Sequence, residues 1–273
     1  MDFNRLSYTL REYIGEFLDS DVAVAFSGGV DSALVLKIAV EEAKKRGSRV
    51  TALTFNTFLS PSADIEITRK LAKEYGVRLV EEYIDQTDNE KVLMNDVKRC
   101  FYCKYTLFSR AKQTAYELGA KYVFDGTNKS DLGVYRPGLA ALKELGIISP
   151  LAECGFEKSD VRLLAAELGI SVAKRPSAPC LATRFPYGSK LPLDKFEMVD
   201  TGEKLLRQLG FDVCRIRLYG DITRIEILPD DFLKFIKERE SIIAGLKKIG
   251  FKYINLDIEG FRSGSMDEVI DKD

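Results

Sequence analysis

The sequence contains no histidine. That removes the commonest general base and zinc ligand, and with them every Ser-His or Cys-His arrangement. Net charge is also nearly absent, because 41 Lys and Arg face 42 Asp and Glu for a formal −1. Bulk electrostatics therefore give no sign of a nucleic-acid partner, although a local basic face stays compatible with this balance. No apolar run approaches a membrane span, and the opening MDFNRLSYTLREY lacks the apolar stretch of a signal peptide. The expectation is a cytoplasmic chain with no membrane partner. Cysteine is sparse, and five of them in such a chain do not make a disulfide framework. They are read instead for metal or catalytic use. No internal repeat is evident. At 273 residues, 45% hydrophobic and 30% charged, the chain suits one large or two modest globular domains.

What is present centres on VAVAFSGGVDS, residues 22–32. Val22 to Phe26 make the short apolar run of a strand buried on both faces. Ser27, Gly28 and Gly29 end it, and an amphipathic pattern begins at Asp31 and Ser32. Paired glycines allow a tight turn and close approach to main-chain N–H groups, which lie at the positive end of the next helix and suit an anion. No lysine follows the second glycine, so this is not the common lysine-bearing phosphate loop. The order Ser-Gly-Gly-Val-Asp-Ser resembles the pyrophosphate (PP) loop of ATP pyrophosphatases, which split ATP into AMP and pyrophosphate while adenylating a substrate. Asp31 suits Mg²⁺ on ATP oxygens and equally suits a helix cap.

Along the chain, residues 3–18 carry a helical stripe. Strands are expected at Val22–Phe26, Arg49–Phe55, Val77–Ile84 and Tyr122–Phe124, alternating with helices over Ala33–Arg46, from Ser60-Pro61 to about Tyr75, and up to Leu118. Ser60 is expected as the N-cap and Pro61 in the first turn of its helix. This alternation predicts an α/β fold with a parallel sheet, its ligand beyond the carboxyl ends of the strands. Ser27 to Gly29, Thr54 to Asn56 and Asp125 to Asn128 fall at such ends and are expected to converge on one nucleotide, with Val30, Thr54, Phe55 and Gly126 among its neighbours. Gly126 to Lys190 is rich in loop signals around a helix over Ser159–Leu168. Beyond it, helices over Asp194–Leu209 and Asp231–Ile249 and strands over Val213–Leu218, Ile222–Leu228 and Phe251–Ile258 predict a small α+β domain. The domains are thus 1–190 and 191–273, with the acidic end MDEVIDKD expected to fray.

Cys100 and Cys103 form a CxxC at an expected helix start, where i and i+3 share a face. Cys180 follows in a loop flanked by prolines. A redox pair, half a zinc site and coincidence are all readings of a lone CxxC. Three thiolates also suffice for a 4Fe–4S cluster with one iron open to an exogenous ligand. Cys154 and Cys214 sit beside regular structure and are read as small buried hydrophobes. Arg215 and Arg217, two apart on a strand, share a face. They suit either a phosphate or a solvated face paired with Glu226 or Asp221. Lys104 and Arg184 are further candidates for anion contacts.

Taken together, SGGVDSA, CxxCK, DGTNKSDLGVYRPG, PCLATRFPYG, CRIRLYGD and FRSGSMDE resemble the LarE family of PP-loop ATP-dependent sulfur transferases. The resemblance spans nearly the whole chain, and PCLATRFPYG and the RxR strand are its particular parts. It implies a PP-loop (adenine nucleotide alpha hydrolase-like) domain and use of ATP and Mg²⁺. The implied reaction replaces oxygen by sulfur in the carboxylates of pyridinium-3,5-biscarboxylic acid mononucleotide, toward the nickel-pincer cofactor of lactate racemase. Cys180 matches the family's sulfur-bearing cysteine, which one branch sacrifices to dehydroalanine. Cys100 and Cys103 depart from that branch and resemble a second one, whose three cysteines hold a 4Fe–4S cluster carrying sulfide. Lys104, Glu203, Arg215 and Arg217 match family positions at the substrate and phosphate site, and a hexamer and a sulfide donor are implied as partners. A tRNA thiolase of the 2-thiocytidine type, an ammonia-using ligase such as NAD or GMP synthetase, and a nucleotide-binding sensor are the alternatives. The first needs a basic surface, and the second leaves three cysteines without work.

Overall fold

A computed structural model describes residues 3–133, 136–176, 179–262 and 264–269. The chain forms two compact units, Met1–Asp88 with Lys98–Ala178, and Asn89–Val97 with Pro179–Asp273.

The first unit runs α1 (Phe3–Gly15), β1 (Val22–Ala25), α2 (Val30–Arg46), β2 (Val50–Asn56), α3 (Ser62–Tyr75) and β3 (Arg78–Tyr83). The chain then contributes α4 (Glu90–Leu93) to the second unit. It returns as α5 (Arg99–Glu117), β4 (Tyr122–Phe124), α6 (Lys129–Leu132), α7 (Gly138–Glu144), α8 (Pro150–Glu153) and α9 (Lys158–Glu167). The four strands are parallel in the order β3-β2-β1-β4, with Val22 opposite both Val50 and Tyr122. This is the α/β parallel sheet expected from the strand–helix alternation. On β1, Val22 and Val24, with Phe26 just beyond it, pack with Leu10, Ile14, Leu34, Ile38 and Phe156. Ala23 and Ala25 face the other way, toward Phe108, Ala111 and Leu142. A strand covered on both faces has no polar side to present, which is why its sequence reads as an unbroken apolar run.

One helix start differs from expectation. Pro61, not Ser60, is the cap of α3. The Ser60 hydroxyl is engaged in the preceding turn, accepting from the Thr57 N–H at 3.2 Å and lying 3.3 Å from the Phe55 carbonyl.

The second unit continues with α10 (Phe196–Gln208), β5 (Cys214–Tyr219), β6 (Ile222–Ile227), α11 (Phe232–Lys237), α12 (Arg239–Ile249) and β7 (Tyr253–Leu256). β5 and β6 pair antiparallel, and β6 and β7 pair parallel. The single helix expected over Asp231–Ile249 is divided at Glu238, within a charged stretch that holds neither glycine nor proline to announce it. The sequence-based limits 1–190 and 191–273 and the two compact units are different divisions of the chain. The physical link is Asn95, whose Nδ2 donates to the carbonyls of Phe185 and Pro186 at 3.1 and 2.8 Å. In addition Gly188 and Leu191 donate their N–H groups to the Asn95 and Leu93 carbonyls. Among the described residues no helix is long and apolar enough to cross a membrane. Of the end MDEVIDKD, where fraying was expected, residues 266–269 fall in the 3₁₀ turn Ser265–Val269, and residues 270–273 lie outside the described residues.

Candidate active site

In the first unit, β1 leads into a turn that is tied down from three directions. Phe26 donates its N–H to the Leu53 carbonyl at 2.7 Å, and the buried Thr54 hydroxyl donates to the Phe26 carbonyl at 2.7 Å. The Ser32 hydroxyl accepts from the Ser27 N–H at 3.3 Å and donates to the Gly29 carbonyl at 3.1 Å, closing residues 27–32 into a small ring. Gly28 turns at φ +74, where a Cβ would stand 3.2 Å from the Asp64 carbonyl oxygen. A left-handed backbone in so tight a place is work for glycine.

Gly29 caps the 17-residue α2 with extended backbone and no side-chain acceptor. The first N–H groups of a long helix, left without a side-chain cap beside an exposed Ser27, make an anion site.

The neighbouring strand ends come to this turn. Gly126, after β4, lies so close that an added Cβ would stand 2.6 Å from the Ser32 nitrogen. Buried Asp125 accepts hydroxyl hydrogens from Thr127 and Ser149 at 2.5 and 2.6 Å, bracing the same segment. Asp31, partly exposed at the start of α2, accepts at Oδ1 from Asn128 Nδ2 at 3.0 Å. Its Oδ2 is ion-paired with Lys158 Nζ. The turn after β1, Thr54 near the end of β2 and the segment after β4 therefore meet, at the point where strand order reverses about β1 and where parallel sheets bind ligands. Phe55 instead sets its ring against Phe108, with centroids 6.0 Å apart. A hard carboxylate beside a phosphate-binding turn is the donor set that Mg²⁺ on a nucleotide uses, one or two carboxylates with the phosphates supplying the rest. Asp31 fits that ion.

Cys100 and Cys103 lie near the start of α5, about one helical turn apart and half-buried. Buried Arg99 donates from Nη2 to Cys100 Sγ at 3.5 Å, placing a positive charge beside a sulfur. Lys104 lays its stem along Gly138, where a Cβ would meet its Cδ at 2.7 Å, and its Nζ sits 5.9 Å from the Phe108 ring centre. The thiols of Cys154 and Cys214 are buried. Burial, reinforced by Glu153 and by Glu203 respectively, pushes their pKa values up to about 11 and about 12. Inert packing is what such thiols do. Among the described residues no three His, Cys, Asp or Glu side chains stand assembled around a metal position.

In the second unit, Cys180 is half-buried and caps the 3₁₀ turn Leu181–Arg184. Its carbonyl accepts from the Thr183 N–H at 3.1 Å, the Thr183 hydroxyl at 2.9 Å and Arg184 Nη1 at 3.3 Å. Arg184 and Glu203, 1% and 2% exposed, form a bidentate pair at 2.8 and 3.0 Å. Glu203 also accepts the Ile216 N–H at 3.1 Å. Burial pushes the Glu203 pKa up, but Arg184, then Arg215 and that N–H, more than offset it and hold it below the usual carboxylate value.

Arg217 makes a second bidentate pair with Glu226 at 2.6 and 3.1 Å and also binds the Ser265 hydroxyl and the Thr183 carbonyl. Arg215 donates to the Cys214 carbonyl at 2.6 Å and lies over Phe261. Burial, with the charge of Arg184, pushes its pKa down to about 10. Arg215 and Arg217 are only 6% and 7% exposed, so the solvated-face reading fails while the Glu226 pairing within it holds. The reason is that Ser265 and Phe261 cover this part of β5.

Sequence reasoning placed Asp125 at the site only as one end of a segment, missed Lys158, and gave Asn128 no role of its own. The DGTN motif carried a signal for the first and last, whereas nothing local marks Lys158.

A PP-loop domain family matches residues 4–132. Pyridinium-3,5-bisthiocarboxylic acid mononucleotide synthase of Lactiplantibacillus plantarum is 38% identical over 92% of this chain and 90% of its own. An uncharacterised Synechocystis sp. protein, slr1717, is 35% identical over 96% of this chain and 97% of its own. The uncharacterised MJ0830 of Methanocaldococcus jannaschii is 31% identical over 95% and 96%. With the uncapped Ser-Gly-Gly-Val-Asp-Ser turn at the head of its parallel sheet, the chain belongs to the PP-loop family of the pyridinium-3,5-bisthiocarboxylic acid mononucleotide synthases, the LarE family.

Proposed function

We propose that this chain is an ATP-dependent sulfur transferase acting on pyridinium-3,5-biscarboxylic acid mononucleotide. The carrying observation is the anion-ready turn Ser27–Ser32 with Asp31 beside it, in a chain similar over nine-tenths of its length to the Lactiplantibacillus plantarum synthase. A carboxylate is a poor electrophile. Attack of its oxygen on the α-phosphorus of ATP expels pyrophosphate and gives an acyl-adenylate, and sulfur attack on that carbonyl then expels AMP. The N–H groups opening α2 hold phosphate oxygens, Asp31 holds Mg²⁺, and both act by position and charge rather than by proton transfer. That suits a chain with no histidine. Lys104, Arg184, Arg215 and Arg217 serve the nucleotide substrate's phosphate, with Glu203 orienting Arg184 and Glu226 orienting Arg217.

Cys100, Cys103 and Cys180 would ligate a 4Fe–4S cluster, and that cluster would supply the sulfur as bound sulfide. Supporting this are the half-buried CxxC pair on one helix face and the half-buried Cys180, against two cysteines packed away. A cytoplasmic homo-oligomer, fed by a sulfide donor, completes the reading.

The test is anaerobic protein incubated with ATP, Mg²⁺ and the biscarboxylic mononucleotide. AMP, pyrophosphate and a thiocarboxylate product are expected, whereas intact ATP would leave only a nucleotide sensor. Brown protein with about four irons per chain is expected, as the three-thiolate cluster requires. Colourless protein that gains dehydroalanine at position 180 would replace the cluster by sacrifice of Cys180. Steeply salt-dependent tRNA binding would favour the tRNA thiolase instead.

A further inference from the structure

Asn128 is 1% exposed and divides its amide between two partners. Its Oδ1 accepts the Asp131 N–H at 3.3 Å, capping α6, while the Asp131 carboxylate accepts the Asn128 N–H at 3.2 Å in return. An acceptor is required at that cap, so the amide's orientation is set and its Nδ2 must face Asp31 Oδ1, 3.0 Å away. The segment carrying it is held on both sides. Lys129 donates its N–H to the Phe156 carbonyl at 2.7 Å, Ala152 to the Thr127 carbonyl at 3.1 Å, and Asp125 accepts from Thr127 and Ser149.

The two oxygens of Asp31 are therefore unlike. Oδ1 is bound to a neutral, buried, immobile donor. Oδ2 is bound to the ammonium of Lys158 on a long, partly exposed stem. A cation arriving with ATP can displace a lysine held on a long, partly exposed stem. It cannot readily displace an amide locked by its own cap.

We propose that Asn128 is a positioning residue for metal capture. It fixes the Asp31 carboxylate so that Oδ2 is presented to Mg²⁺, and Lys158 is the group the ion displaces. This rests on the reading of Asp31 as the magnesium carboxylate. Donors behind a metal-bound carboxylate set its orientation, and losing one costs about 10–100-fold in metal affinity or activity.

The experiment is ATP binding to the full chain by calorimetry across a Mg²⁺ titration, for wild type, Asn128→Ser, Asn128→Thr and Asp31→Asn. Serine and threonine keep a capping oxygen for α6 and lose the Nδ2 that reaches Asp31, their hydroxyl ending one bond short of it. The half-saturating Mg²⁺ concentration should rise about tenfold or more in both, with cooperative unfolding retained and metal-free ATP affinity unchanged. An unchanged Mg²⁺ requirement in either folded variant would reduce Asn128 to a cap and overturn the proposal. An equal loss of metal-free ATP affinity would do the same, because it signals collapse of the turn. If Asp31→Asn leaves the Mg²⁺ dependence of ATP binding intact, it is the magnesium reading of Asp31 that fails.

Discussion

Arg184 and Glu203 form a two-point ion pair with almost no exposure to solvent, and the same guanidinium holds the carbonyl of Cys180. Cys180 is thus anchored through its backbone to α10. Removing one partner of such a pair leaves a buried charge without compensation, which costs about 3–5 kcal/mol. Glu203→Gln should lose stability on that scale in urea unfolding at pH 7. Because the folded pKa of Glu203 is depressed from 4.5, its contribution is complete above that value. The contribution drains away as pH falls through the folded value. The gap between wild type and Glu203→Gln should therefore narrow below pH 4.5 and stay constant above it. A gap that is flat through the acid range would contradict the pairing.

The five cysteines divide by burial into Cys154 and Cys214, packed in, and Cys100, Cys103 and Cys180, half-exposed. Thiolate is the reactive form, so thiols pushed up to about 11 and about 12 react slowly at neutral pH. Cluster-free, reduced protein treated with an aromatic disulfide at pH 8 should release three equivalents quickly. The last two should appear only on denaturation. Cys154→Ala and Cys214→Ala should leave iron content unchanged, whereas serine at any of the other three should abolish it.

How far the sequence reaches follows from the range of each interaction. The Ser27–Ser32 turn is legible because its bonds close within five residues, and the core of β1 because its burial is written in adjacent positions. Asp31 is legible as a residue but not in its setting, since its partners Asn128 and Lys158 stand 97 and 127 positions away. Arg215 and Arg217 mislead for the same reason. Alternation on a strand says which side chains share a face, not whether Ser265, 48 positions on from Arg217, covers it. The attachment of residues 89–97 to the second unit is invisible for want of a periodic pattern, because it is carried by backbone bonds and a single asparagine.

Gly126 tests the packing of the β4 segment against the nucleotide turn. A methyl group there must meet the Ser32 nitrogen at 2.6 Å and its Cα at 3.0 Å, both backbone atoms that cannot rotate away. Gly126→Ala should lose about 1–3 kcal/mol to overpacking. A displacement of 1 Å at the turn should also lower AMP release by about 100-fold. A variant with wild-type turnover would show that the turn tolerates movement the proposed chemistry forbids.

Asn95 stands at φ +50, the left-handed region, and is fully buried while donating to the carbonyls of Phe185 and Pro186. Two contributions can be separated by two substitutions. Alanine loses the side-chain donor and keeps the left-handed backbone, adding about 1–2 kcal/mol of strain that asparagine partly avoids. Glycine loses the same donor without that strain. Either takes the Nδ2 donor from the buried Phe185 carbonyl, a loss of about 1–3 kcal/mol, while the Pro186 carbonyl keeps the Ser189 hydroxyl at 2.6 Å. Both variants should therefore be less stable than wild type in urea, with Asn95→Ala the worse by about 1 kcal/mol. The reverse order would mean that backbone conformation is not what selects asparagine here, leaving the two carbonyl contacts as the whole of its role.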